Sequence, residues 1–155
     1  MLEIITDLES MSDAQYDAFQ EMYDALNADE DQICQQLNNG YYTGAGTFDA
    51  WYQNRVNNGD NIIMVFNKVQ DEYVGFTSYC YYPDDREVSL SQVFVKAGYR
   101  RCGYAKELLD CVMARVKSLD AVSIYLTVLS LNSAAKALYA QYGFTPAIEM
   151  HQRTL

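Results

Sequence analysis

The sequence predicts an α+β domain whose sheet is mostly antiparallel with one parallel strand pair. Three observations predict it. Between residues 61 and 95 three strand-like runs follow one another with only short polar turns between them, as antiparallel neighbours do. Between 87 and 128 a strand, an amphipathic helix and a second apolar strand succeed one another, and such a unit joins parallel neighbours through a right-handed crossover. Before residue 60 the apolar residues recur mainly at helical spacing.

Each element has a local reason. Residues 2–7 (LEIITD) read as a first strand. Ser12-x-x-Gln15 is a capping box, with Met11 and Tyr16 placed for a hydrophobic staple. The helix it opens carries Phe19, Met22, Tyr23 and Leu26 on one face. Residues 29–37 form a second, shorter helix, buried through Ile33 and Leu37 and broken by Asn38-Asn39-Gly40. A glycine-bearing loop at 41–46 leads to Thr47, which caps a short helix through Trp51, Tyr52 and Val56. Strands at 61–68 and 73–82 flank the turn Gln70-Asp71-Glu72 as a hairpin, and Pro83-Asp84-Asp85 turns the chain into a third at 87–95. The helix over 103–117 presents Ala105, Leu108, Leu109, Val112, Met113 and Val116 on one side. A strand at 122–128, a helix at 132–142 with Asn132 as N-cap and Gly143 as C-cap, and a strand at 147–153 complete the chain.

Composition sets the bounds. A chain of 155 residues makes one domain, 1–155, with a core that needs no staples. Half of its residues are hydrophobic and two are proline, which excludes disorder. No apolar run approaches the ~20 residues of a membrane span, and the first ten residues lack the basic and apolar regions of a signal peptide. Cys34, Cys80, Cys102 and Cys111 form no C-x-x-C pair, and His151 is the single histidine, so a zinc site is not expected. Reduced thiols fit a cytoplasmic protein. The net charge is −10, and residues 1–50 hold eleven acids and no base. Nothing here resembles the basic face of a nucleic-acid binder. The acidic part either draws a cationic partner or is a solvated helix surface.

The stretch Val93 to Leu109 holds the chemistry. Strand residues Val93, Phe94 and Val95 run into Arg100-Arg101-Cys102-Gly103-Tyr104-Ala105, where a helix begins. A helix N-terminus offers unpaired N–H groups and partial positive charge to an anion. Gly103 and Ala105 keep side chains clear of that approach, and Lys96, Arg100, Arg101 and Lys106 add positive charge. Neither G-x-G-x-x-G nor G-x-x-x-x-G-K-[ST] is present.

About thirty residues on, Asn132, Ala135, Tyr139, Gly143 and Phe144 match N-x-x-A-x-x-x-Y followed by G-F, while Arg100, Gly103 and Ala105 match [RQ]-x-x-G-x-[GA]. With both motifs in this order, the chain resembles the GNAT superfamily of acetyl-CoA-dependent N-acetyltransferases. The resemblance implies the GNAT fold, with helices on both sheet faces and a central parallel pair that splays at one end. It implies acetyl-CoA as cofactor and an amine acceptor, either a cationic small molecule or a protein lysine or N-terminus, with a homodimer compatible with the family. It places the backbone of Val93, Phe94 and Val95 against the pantetheine and thioester, and the amides of Arg101, Cys102, Gly103, Tyr104, Ala105 and Lys106 on the pyrophosphate. Arg100 belongs to the same turn, and Asn132 contacts the cofactor from the second strand's side. Tyr139 matches the general acid that protonates the departing thiolate.

The base is less determined. Where some relatives carry a glutamate on the second central strand, this chain has Thr127. Glu87 shares a strand face with Ser89, Ser91 and Val93 and is the candidate base, through a water, unless it is a solvated strand-end glutamate. Asp84 and Asp85 are the fallback. Tyr41, Tyr42, Trp51, Tyr52, Tyr79, Tyr81 and Tyr82 suit a cationic acceptor, or else the core. The alternative function is a non-catalytic acyl-CoA-binding or regulatory protein acting through its acidic face.

Overall fold

The computed structural model describes residues 1–36 and 47–147. The expected helix break and loop at 37–46, and all but the first residue of the strand expected at 147–153, lie outside the described residues. Five strands form one sheet in chain order: β1 (Leu2–Ile5), β2 (Asn61–Asn67), β3 (Glu72–Tyr82), β4 (Glu87–Val95) and β5 (Ser123–Leu126). All neighbours are antiparallel except β4 and β5, which run parallel. The helices are α1 (Asp13–Gln36), α2 (Phe48–Asn58), α3 (Tyr104–Val116) and α4 (Ser133–Gln141).

The two helices expected before residue 38 are one. α1 runs unbroken for 24 residues. No Gly or Pro interrupts Asn27-Ala28-Asp29, and the buried stripe Phe19, Met22, Tyr23, Leu26 continues in phase to Cys34. The capping box forms as expected: the Ser12 amide donates to Gln15 Oε1 at 2.9 Å and the Gln15 amide to Ser12 Oγ at 3.3 Å. Thr47 caps α2 through Ala50, and Gly59 ends it in the left-handed region at φ 68. β1 stops at Ile5 because Asp7 turns to accept from the Glu9 amide.

Strand alternation sends the core two ways. On one face Ile62, Met64, Phe76 and Phe94 pack against Phe19, Met22, Tyr23, Phe48 and Trp51 of α1 and α2. On the other, Ile63, Val65, Val88, Leu90 and Val95 pack against Leu108, Leu109, Val112 and Val116 of α3. Trp51 and Tyr79 are buried in these clusters, so they are core rather than acceptor-facing aromatics.

Two bulges adjust the sheet. Val74 is the extra residue between β2 and β3, and Ser91 the extra residue of β4 opposite Ser78 and Tyr79. Beside the first, Gly75 lets the strands close up: a Cβ there would sit 2.6 Å from the Phe94 carbonyl oxygen. β5 pairs with β4 only from Glu87–Ser123 to Leu90–Leu126. From Ser91 to Val95 the outer edge of β4 has no strand partner among the described residues.

Candidate active site

α3 starts without a cap. Its N-cap residue is Gly103, at φ 92 and ψ −9, which has no side chain to offer the first amides. Those of Tyr104, Ala105 and Lys106 meet no acceptor among the described residues, and the first helical bond is Glu107 N–H to Gly103 carbonyl at 3.0 Å. Nothing lies within 4 Å of where a Gly103 Cβ would project, so the approach is open. Arg101, also at positive φ (65), reverses the chain just before it. Arg101, Cys102 and Lys106 are exposed at this end.

The tip of β4 ends beside that turn. The Lys96 amide donates to Val74 on β3 at 2.9 Å, while the Val95 carbonyl, one residue earlier, accepts from Arg100 Nε at 3.0 Å on the opposite side. Backbone groups alternate along a strand. Hence the N–H and C=O of Val93 and Val95 face the unpaired outer edge, and those of Gln92 and Phe94 face β3, where the Gln92 carbonyl accepts from Thr77 Oγ1 at 2.7 Å.

A cleft of about 330 Å³ lies between the second half of α1, the turn after β4 and the start of α4. Leu26, Asp29, Glu30, Arg100 and Asn132 are among its walls. Asn132 Oδ1 caps α4 by accepting from Ala135 N at 3.1 Å. Gly143 at φ 82 folds the chain back behind α4, and the Phe144 ring meets the Tyr139 ring edge to face at 5.9 Å. Burial, and then the Glu30 charge, push the Tyr139 phenol up to about 12.

Residues 11–144 match the acetyltransferase (GNAT) family. The chain belongs to that family. An uncharacterized N-acetyltransferase of Mycobacterium bovis is 36% identical over 61 residues, a match that spans 39% of this chain and 39% of that protein. Two solved structures share the fold: a tetramutant of a Bacillus halodurans protein (TM-score 0.77, 12% identity, 100% of this chain and 99% of that one), and a GNAT-family acetyltransferase of Staphylococcus aureus (TM-score 0.66, 20% identity, 92% and 84%).

In this GNAT chain Arg100 of the first motif and Asn132 of the second line the same cleft. Glu87 lies at the paired start of β4, opposite Ser123, whose hydroxyl donates to it at 2.9 Å. Six residues of strand, about 20 Å, separate it from Val93. Alternation put the two on one face, but the extra residue at Ser91 reverses the phase: Val93 packs on the α3 side with Val88 and Leu90, and Glu87 points to the other side of the sheet. Two of the four cations are engaged: Lys96 pairs with Glu21 at 2.9 Å and Glu72 at 3.1 Å, and the Arg100 guanidinium pairs with Asp29. Arg101 and Lys106 make no ion pair with a described residue and are the cations left at the α3 N-terminus.

Sequence reasoning said nothing of Glu30, which lines this cleft. It continues the inward stripe of α1, four residues after Leu26 and four before Cys34, and is half-buried there. The signal was present in the spacing, but a stripe read from apolar residues alone skips a carboxylate.

Proposed function

We propose that this chain is an N-acetyltransferase that carries acetyl from acetyl-CoA directly to a cationic primary amine. One observation carries the reading: the unpaired edge of β4 at Val93 and Val95 runs into an uncapped helix start at Gly103. The donor set fits the cofactor, with open amides and two cations for the diphosphate and strand edge groups for an extended amide-containing arm. When bound, acetyl-CoA supplies an activated acyl thioester. The amides of Arg101, Cys102, Gly103, Tyr104, Ala105 and Lys106 hold its anionic end, and Phe94 backs the strand from the core. The outward N–H of Val93 is the oxyanion-type donor, a class of contact worth about 2.7–4 kcal/mol. Asn132 shapes the opposite wall. Holding both reactants in line contributes about 7–11 kcal/mol in well-oriented systems.

Tyr139 holds its proton at neutral pH, as any phenol does and more firmly here, where it is pushed up to about 12, so it enters the reaction as a donor, for the departing thiolate. Direct transfer is favoured over an acyl-enzyme because exposed Cys102 points its thiol at the Arg100 carbonyl, 3.6 Å away, and has no basic partner there. The acceptor is assigned as a cation because α1 carries seven acids and no base. It is a small molecule or a protein amine.

Following thiol release from acetyl-CoA across a panel of amines tests this. Turnover on at least one amine, reduced about 10²-fold or more in Tyr139→Phe, supports it. Acetyl-CoA binding without turnover on any amine would favour a binding protein instead.

A further inference from the structure

We propose that Arg55 and Asp60 are positioning residues for acetyl transfer: with Thr77 and Ser78 they hold the extra residue of β4 at Ser91, and that placement decides which backbone groups meet the thioester. This rests on the acetyltransferase reading above. A bulge answers strand twist, but side chains keep this one where it is.

Outside tyrosine and cysteine, the buried polar residues among those described are Asp60, Thr77 and Ser78. All three lead to Ser91 and Gln92. The Thr77 hydroxyl donates to the Gln92 carbonyl at 2.7 Å and the Ser78 hydroxyl to Gln92 Oε1 at 2.7 Å, from opposite faces of β3. Asp60 Oδ2 pairs with Arg55 Nη1 at 3.2 Å, and the same nitrogen donates to Ser91 Oγ at 3.0 Å. Arg55 is fixed in turn by Asn54 Oδ1 at 2.8 Å and by the Trp51 ring, 5.6 Å from its guanidinium carbon. The end of α2 is thereby tied to a single residue of β4.

The ion pair is a poor stabiliser. Asp60 Oδ1 and Arg55 Nε are buried with no hydrogen-bond partner among the described residues. A pair satisfied so incompletely offsets little of its desolvation, and apolar residues of similar size often do as well or better. What it supplies is position. β5 leaves β4 after Leu90 and the extra residue comes next, so the open edge begins at the bulge. A strand that slips by one residue sends each side chain to the other face and each N–H to the other edge. With the bulge held at Ser91 the Val93 N–H faces the open edge; a slipped strand would turn that N–H to β3.

The test uses the full chain, with the pair replaced by apolar residues (Arg55→Met with Asp60→Leu) and, separately, Ser91→Ala, which removes only the Arg55 contact. For the double variant the expected result is a urea midpoint at or above that of wild type and unchanged acetyl-CoA affinity by calorimetry, since the turn at Gly103 is untouched. On an amine that wild type acetylates, kcat falls about 10²-fold. Nitrogen-15 amide spectra give a reading that needs no turnover, and it decides where no amine turns over. In wild type the Val93 signal, assigned by Val93→Ile, moves when acetyl-CoA replaces CoA, because only acetyl-CoA brings a thioester oxygen; in the double variant that movement is lost. Ser91→Ala changes kcat and the Val93 signal in the same direction by less. A double variant that loses stability, while its folded fraction turns over and shifts Val93 as wild type does, makes the pair structural and overturns the proposal. Should circular dichroism show that it does not fold, Ser91→Ala decides, and an unchanged kcat and Val93 shift overturn the proposal. A wild type that binds acetyl-CoA with no movement at Val93 overturns the Val93 donor, and the positioning role with it, and leaves cofactor binding standing. No heat for acetyl-CoA with wild type overturns the cofactor reading and the proposal that rests on it.

Discussion

At Gly103 the backbone takes φ 92, where an L-residue is strained, yet no protein atom lies within 4 Å of the position a Cβ would occupy. Gly103→Ala therefore costs about 1–2 kcal/mol in backbone energy and also puts a methyl where the diphosphate would approach. Calorimetry should show acetyl-CoA affinity falling by more than the loss in urea stability explains. Gly75 is the opposite case, because a Cβ there meets the Phe94 carbonyl at 2.6 Å. Gly75→Ala must push β3 and the β4 tip apart, at about 1–3 kcal/mol, with a lowered melting temperature. Cys102 is exposed, whereas burial raises the thiols of Cys34, Cys80 and Cys111. Iodoacetamide should label Cys102 first, and acetyl-CoA should protect it; equal labelling with and without cofactor contradicts the assigned turn.

Among the elements, α1 shows most clearly what a sequence does and does not display. Its start was legible, since Ser12 and Gln15 cap each other in a way that four residues encode. Replacing Ser12 with Ala should cost about 1 kcal/mol, read as a shift in the urea midpoint. Its length was not legible: Asn27 and Asp29 look like boundary residues, but nothing forbids the helix there and tertiary burial of Cys34 carries it through. The strands from β2 to β4 were placed within a residue or two because alternation and turn chemistry agree there. The bulges at Val74 and Ser91 carried no signal, being set by how neighbouring strands twist. The same split governs the site. The turn at Gly103 and the cap at Asn132 were readable from motif spacing; the place of Glu30 in the cleft wall and of Glu87 at the paired end of β4 needed the third dimension.

For the molecule as a whole, tyrosines shape the response to alkali. The phenols of Tyr73, Tyr139 and Tyr142 are pushed up to about 12, first by burial and then by the neighbouring carboxylates Glu3, Glu30 and Asp110; that of Tyr99 rises as far, first through its hydrogen bond to Glu72. In the unfolded chain they ionise near 10. Stability from these groups is complete below pH 10 and is lost as pH climbs toward 12, because the unfolded chain releases its protons first. Urea midpoints at pH 8, 10 and 11 should fall in that order, and Tyr73→Phe should flatten the slope.

Arg100 has a wider consequence. By gripping the Val95 carbonyl with one nitrogen and Asp29 with another, it fastens α1 to the tip of β4, the strand proposed to hold the thioester. Attempts to retarget this protein to new acceptors by editing the helix will therefore register as altered Michaelis constants for the acyl donor. Neutralising Asp29 should do so even if no acceptor ever touches it.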